Sequence, residues 1–196
     1  MSSEKKGENV ADEITVRFAT MADMGAVLRL YDDVVERDRG TEYDVLWRRD
    51  LHPSDASLEA AVAAGQLMLA EAVGAAETGE RAPLLGAGVL NDDFAQGYEN
   101  VSWPGHFPLE RVRCLHLFCT HPDARGRGVA KRLLEGMAGL MRAQGVAAIR
   151  LDTFARNTAA RCLYEACGYA YAGPGRMEYE DQDVAHLDFA MYELVL

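Results

Sequence analysis

Apolar residues alternate with polar ones at Ile14, Val16 and Phe18, and this period of two predicts a short strand. The period then changes. Thr20 followed by Asp23 has the form of a capping box, and Met24, Val27, Leu28, Tyr31, Val34 and Val35 recur at helical spacing, so the strand runs directly into a helix. Pro53 and Ser54 lead to a second, shorter helix over 56–64. Two strands are expected over 66–73 and 84–91, joined by small and polar residues at 74–83. Residues 92–110 hold Pro104, Gly105 and Pro108 with Tyr98 and Trp103, and show no regular period. A loop of that length inside a compact domain is often functional.

Stronger patterns follow. The apolar run over 112–120 suits a central strand, Gly126 and Gly128 interrupt it, and Val129, Leu133, Leu134, Met137, Leu140 and Met141 mark an amphipathic helix that Gly145 ends. Another strand is expected over 147–153, after which Asn157 caps a helix carrying Ala160, Leu163 and Tyr164 and stopping at Gly168. Closing strands lie around 169–179 and 185–194. The polar, aperiodic residues 1–12 read as a flexible tail, and 13–196 as one domain without repeats or linkers.

Composition agrees with that reading: 196 residues, 49% hydrophobic and 26% charged, describe an ordinary globular domain long enough to bury its own core. A net charge of −11 disfavours nucleic acid and anionic membranes as partners and accommodates cationic small substrates, though acidity also serves solubility alone. Gln66 and Glu71 interrupt the most apolar stretch, 60–76, so no membrane span is expected. The four cysteines, Cys114, Cys119, Cys162 and Cys167, form two pairs spaced by five. Five residues reverse the face of a regular strand and turn a helix by about 140°, so neither pair should converge on a metal. Buried thiols, no metal and a reducing cytoplasm are the expectation.

Candidate chemistry concentrates at Arg125-Gly126-Arg127-Gly128-Val129-Ala130, where a strand gives way to a helix. A glycine-bearing turn at a helix N-terminus offers free backbone N–H groups and the positive end of the dipole to an anion. Arg125, Arg127, Lys131 and Arg132 make this the most basic short segment of an acidic chain. No Walker A sequence is present, and the third glycine of a dinucleotide fingerprint is missing. Taken alone, the segment also reads as a softened turn into a surface helix.

Residues 121–130 resemble the cofactor motif of the GNAT superfamily of N-acetyltransferases, with Arg125, Gly128 and Ala130 on its fixed positions. Asn157, Ala160, Leu163, Tyr164, Gly168 and Tyr169 are similar to that family's second signature, and the likeness extends over about 14–196. The resemblance implies an α+β fold: a mixed, mostly antiparallel sheet of about seven strands with flanking helices, splayed between strands four and five. It also implies acetyl-coenzyme A as co-substrate, with pantetheine paired along Phe118, Cys119 and Thr120. The pyrophosphate would lie on the amides of Arg125, Gly126, Arg127, Gly128, Val129 and Ala130, with Asn157 and Tyr164 completing the site.

The implied activity is direct transfer of acetyl to a primary amine of a small molecule or peptide, with no metal. Cys119 then contributes its backbone rather than a nucleophile. Tyr164 would be the acid for the departing thiolate, unless it is only a packed core residue. His116 stands where relatives carry a carboxylate and is the candidate base, its alternative being a core histidine, with a water held by the acidic stretch 32–44 in its place. Trp47 and Trp103 either wall an acceptor cleft or pin their loops to the core. A non-catalytic acyl-coenzyme A sensor of the same fold is the competing function, and a sheet-edge homodimer fits either.

Overall fold

The computed structural model describes residues 14–49, 51–73, 83–95, 97–175 and 188–196. The expected tail, most of the 74–83 connection and the segment 176–187 between the closing strands lie outside the described residues. The chain begins with β1 (Ile14–Phe18), α1 (Met24–Asp38), α2 (Asp55–Ala63), β2 (Leu67–Ala72) and β3 (Leu84–Asn91). It continues through β4 (Val112–Thr120), α3 (Val129–Ala143), β5 (Ala148–Phe154), α4 (Thr158–Ala166), β6 (Ala170–Gly175) and β7 (Phe189–Val195). One seven-stranded sheet results, in the order β1-β2-β3-β4-β5-β7-β6. Every neighbouring pair is antiparallel except β4 and β5. This is the α+β architecture expected.

Both faces of the sheet are covered. The apolar stripe of α3, Val129, Leu133, Leu134, Met137 and Met141, is buried against Met68, Leu115, Ile149 and Leu151 on one face. Val27, Leu30, Tyr31 and Val34 of α1 and Leu58 and Val62 of α2 pack on Leu67, Leu69, Ala87 and Val89 on the other. Beside that second layer, Tyr98, Cys114, Phe154, Phe189 and Met191 form a smaller cluster. The 92–110 segment covers it and is not wholly irregular: short 3-10 turns occupy Tyr98–Asn100 and Leu109–Arg111.

One interaction anchors this covering segment. Arg150 and Glu193, 5% and 1% exposed, pair across β5 and β7 at 2.9 Å. The Glu193 carboxylate also accepts the Gly105 N–H at 2.5 Å, Arg150 donates to the Gly105 carbonyl at 3.3 Å, and its guanidinium lies 4.4 Å from the centre of the Trp103 ring. A buried pair needs its remaining donors and acceptors filled, and the loop fills them.

β4 departs from regular geometry at a single point. Ala87 faces Cys119 and Val89 faces His116, so Gly88 alone stands opposite Leu117 and Phe118, and Leu117 takes a φ of +53°. This is a β-bulge. The added residue returns Cys119 to the face of Cys114, which corrects the expectation that their spacing of five puts them on opposite faces. They still enter different clusters, and Cys162 of the other pair is exposed on α4.

The turn from β1 into α1 carries an ion-paired cap. The Asp23 carboxylate accepts the Thr20 N–H and hydroxyl, both at 2.8 Å, and receives two guanidinium bonds from Arg17, which also binds Glu71. The Arg17 guanidinium holds the Asp23 carboxyl well below the usual carboxylate range, against the opposing effect of burial. A carboxyl lowered on folding adds stability at pH values above its unfolded pKa of about 4, and that stability is lost only as pH falls through the folded value. Asp23→Asn should therefore cost about 2 kcal/mol near pH 7, the sum of a cap and a charge-assisted bond to a partly exposed partner. Urea unfolding should show the gap between the two proteins intact at pH 5 and closing only in stronger acid.

Candidate active site

β4 and β5 are paired for only three residues, Val112 with Ala148, Arg113 with Ile149 and Cys114 with Arg150. From Leu115 onward the side of β4 that faces β5 has no strand partner, and a cavity of about 820 Å³ opens between the two strands. Its walls include residues 115–120 of β4, Asp152 to Phe154 of β5, the 124–131 junction and Asn157, Ala160, Leu163 and Tyr164 of α4. The structure thus brings together His116, Phe118, Cys119, Thr120, Arg125, Gly126, Gly128, Val129, Ala130, Asn157 and Tyr164. Arg127 lies in the same turn, exposed and beside the lining residues.

At the outer end, Gly126 and Gly128 take φ values of +73° and +79° immediately before α3. A Cβ on Gly126 would meet nothing within 4 Å, so glycine is demanded there by backbone angle rather than by room. The resulting turn presents the first amides of a 15-residue helix to the cavity. Lys131 adds a cation to the lining. The Arg125 side chain is engaged elsewhere: its guanidinium binds both oxygens of buried Asp38 at 2.7 and 2.5 Å and lies 4.3 Å from the centre of the Tyr43 ring. That pair ties the end of α1 to the turn and leaves the backbone of Arg125 as its group for an anion.

The inner end is shaped by the bulge. The buried Tyr31 hydroxyl donates to the Leu117 carbonyl at 2.7 Å, and Trp47, which lines the cavity, packs 5.8 Å from the Tyr31 ring. Burial pushes the Cys119 thiol up to about 12, so it stays protonated at neutral pH. Tyr164 is buried on α4 with its ring 6.3 Å from that of Phe118, and burial raises its phenol above the ordinary value. The Asn157 oxygen accepts the Ala160 N–H at 3.1 Å, the helix cap expected, which leaves its NH₂ for other partners.

His116 is half-buried, and its Nε2 lies 2.8 Å from the Asp93 carbonyl. A carbonyl only accepts, so Nε2 carries a proton, and in the neutral ring Nδ1 is then the nitrogen with a lone pair. Three residues that the sequence did not offer as site candidates stand nearby. Asp152 and His52 line the cavity, and the Tyr98 hydroxyl donates to Asp152 Oδ1 at 2.8 Å. The resemblance implied that the fourth and fifth strands part, but a single aspartate in the expected strand 147–153 carried no signal of its own.

Two expectations meet different outcomes. Trp103 is not among the cavity walls: its ring lies 5.1 Å from Tyr98, its indole N–H donates to the Tyr98 carbonyl, and it covers Arg150. Four aspartates of the acidic stretch 32–44 are engaged by other protein groups, and of its carboxylates only Asp38 is among the cavity walls. Asp32 binds Arg49, Asp33 lies 3.4 Å from His121, Asp38 binds Arg125 and Asp44 bonds the backbone of Gly40 and Leu46. Among the described residues no cluster of three metal-type side chains occurs, and no helix is long and apolar enough to cross a membrane.

The comparison with curated proteins gave no match. Solved structures share the architecture. An acetyltransferase of the GNAT family from Streptococcus agalactiae superposes with a TM-score of 0.72 at 16% identity, over 93% of this chain and 95% of that one. One from Listeria monocytogenes gives 0.66 at 19%, over 93% and 95%. A Salmonella typhimurium protein described as an acetyltransferase, solved with its cofactor acetyl-CoA, gives 0.64 at 19%, over 93% and 94%. At these identities the likeness concerns the fold. The model of the acetyltransferase (GNAT) family matches residues 35–169, more than half of the sequence and the whole of the split strand pair, and the chain belongs to that family of acyltransferases.

Proposed function

We propose that this acetyltransferase moves acetyl from acetyl-coenzyme A directly to a primary amine of a small molecule or peptide. The observation that carries the reading is the parting of β4 from β5 beyond Cys114, with a bulge at Leu117 inside it and a glycine turn at its mouth. An unpaired strand edge leaves backbone donors and acceptors that a pantetheine arm can satisfy, and the open space at Gly126 suits a pyrophosphate lying on the turn. Phe118, Cys119 and Thr120 would pair with the arm. Arg125 to Ala130 would offer their amides and Arg127 and Lys131 their charge, while the Asn157 NH₂ faces the arm from α4.

The residues present suit direct transfer. The amine arrives as an ammonium, since an alkyl amine near pKa ~10.4 is about one part in a thousand neutral at pH 7. His116 Nδ1 would take the first proton. Leu117 and Phe118 have no register partner in β3, and an amide there can donate to the carbonyl oxygen as it gains charge. The new amide loses a second proton as the carbon–sulfur bond breaks. One proton ends on the coenzyme A sulfur and the other leaves to solvent. Tyr164 keeps its proton at every working pH, so it is always a hydrogen-bond donor. Full transfer from a phenol raised above pKa ~10 to a thiolate near ~8.5 is uphill, so its main action is to stabilise the departing sulfur. A thiol at about 12 does not supply the thiolate that an acyl-enzyme route through Cys119 needs.

Acetyl-coenzyme A should raise the melting temperature by mass action on the folded state, and Gly128→Glu should abolish that shift by setting bulk and negative charge against the turn. An unchanged shift in a folded Gly128→Glu protein would move the cofactor elsewhere. Release of free coenzyme A thiol across a panel of amines measures the activity itself. In that assay Tyr164→Phe should lower kcat by tenfold or more with the acetyl-coenzyme A shift unaltered, because only the departing sulfur needs the hydroxyl. His116→Ala should lose about 10²- to 10⁴-fold in kcat/KM, the range of a general base, and a rate near that of the wild type would return His116 to a packing role.

A further inference from the structure

We propose that Asp152 is the docking group for the acceptor's ammonium, which makes the acceptor class primary aliphatic amines presented as cations. The proposal rests on the acetyl-transfer reading and adds the substrate class to it. Its basis is position. The last paired residues of the two parting strands are Cys114 and Arg150. Two residues further along each, on the same face, come His116 and Asp152. They flank the point where the strands separate, and both line the cavity.

The cavity has two carboxylates in its walls, Asp38 and Asp152. Asp38 is engaged by Arg125 through both oxygens. Asp152 has no ion pair among the described residues. Its one hydrogen bond from another described residue comes from the Tyr98 hydroxyl to Oδ1, which leaves Oδ2 without a donor from another described residue. The basic residue next along the same face, Arg150, is held by Glu193. A half-buried carboxylate without a countercharge is costly, and a cation entering the cavity offsets that cost. The carboxyl stands above its ordinary range in consequence, burial outweighing the Tyr98 hydrogen bond and the nearby His116 ring.

The titratable and charged groups in the neighbourhood of Asp152 come from several elements. β4 brings His116 and Cys114, β5 brings Arg150 with its Glu193 partner, and the covering segment brings Tyr98 and the acidic Asp92 and Asp93. α4 brings Tyr164, and His52 at the rim acts on the neighbouring His116. None of these is a fixed cation in bonding reach of Oδ2. An ammonium there sits beside His116, the group proposed to take its proton, and across from Tyr164. An alcohol or a weakly basic arylamine has no charge to offer the carboxylate, so the same geometry selects against them.

Proton and cation compete for the same oxygens, so affinity for an ammonium should rise with pH through the carboxyl's pKa and level off above it. The test titrates n-butylammonium and n-butanol into the protein, with and without coenzyme A, and follows binding by NMR. The wild type should prefer the ammonium. Asp152→Asn keeps the shape and should lose about 10- to 100-fold in ammonium affinity, as expected for a charge-assisted bond, with butanol unaffected. Tyr98→Phe removes the donor that lowers the carboxyl's pKa and should move the midpoint of the pH dependence upward, which decides the matter even if Asp152→Asn fails to fold. Equal affinity of wild type and Asp152→Asn for the ammonium, no preference of the wild type for it over butanol, or an unmoved midpoint in Tyr98→Phe overturns the proposal. The thermal shift by acetyl-coenzyme A is measured on the same proteins: its absence from the wild type sinks the acetyl-transfer reading, whereas its persistence in Asp152→Asn with cation binding unchanged sinks only the role of Asp152.

Discussion

Two parallel strands that pair for three residues and then separate set the terms for the rest of this molecule. Inside a sheet, backbone donors and acceptors are filled by the neighbouring strand, and leaving them unfilled in a buried place costs as much as losing the hydrogen bonds. β4 meets that cost on its β3 side by pairing through most of its length, and on the β5 side only up to Cys114. The remainder of that edge borders a cavity that admits solvent or a ligand with an extended backbone of its own. The bulge at Leu117 sits within the parted stretch, where no β5 partner constrains the angle, and Tyr31 holds it from the opposite side through the Leu117 carbonyl. A left-handed φ on a leucine is a strained choice that persists only where neighbours enforce it.

Keeping the strands apart requires fixed walls, and buried ion pairs provide them. Arg125 with Asp38, both in the cavity wall, ties the glycine turn to the end of α1, so the amides of the turn are aimed by a side-chain contact. Arg150 with Glu193 ties Gly105 and Trp103 over the far side of β5, which in turn sets Tyr98 against Asp152. In both pairs the arginine's flat donor array matches a carboxylate and still has a face left to cover an aromatic ring, Tyr43 in one case and Trp103 in the other. The side chains of Arg125 and Trp103, both singled out in the sequence, thus serve the geometry of the cavity.

Contacts between distant positions of this kind decide what was legible beforehand. The elements were, because α1, α3 and β4 carry long, strongly periodic apolar patterns, and Gly126, Gly128 and Asn157 mark their junctions through backbone angle and capping, which are local properties. The walls of the cleft were legible only in part. Trp47 and Trp103 look alike in a sequence, and which one reaches the cavity depends on a contact with Arg150, 47 positions away from Trp103 by the numbering. The bulge was invisible for a similar reason: no residue type demands it, and a period-two count through β4 therefore misassigned the relative faces of Cys114 and Cys119. Asp152 was passed over because a single aspartate in a strand has no local signature. Its significance depends on the parallel register that sets it opposite His116.

The charge distribution follows from the same division. A chain of net charge −11 is an unfavourable host for a polyanionic co-substrate unless its field is reversed locally. The mouth of the cavity does this with the amide end of α3 and the exposed side chains of Arg127 and Lys131, while Asp38 and Asp123 beside it are paired with arginines. Deeper in, the sign changes: Asp152 stands in the wall with no cationic side chain bound to it among the described residues. One cavity therefore runs from positive at the turn to negative at the split. A molecule with phosphates at one end and a reaction partner that begins as a cation can be held from its two ends by the same channel, each drawn to the end that repels the other. The order of potentials along the cavity, more than any single contact, is what would keep donor and acceptor from exchanging places.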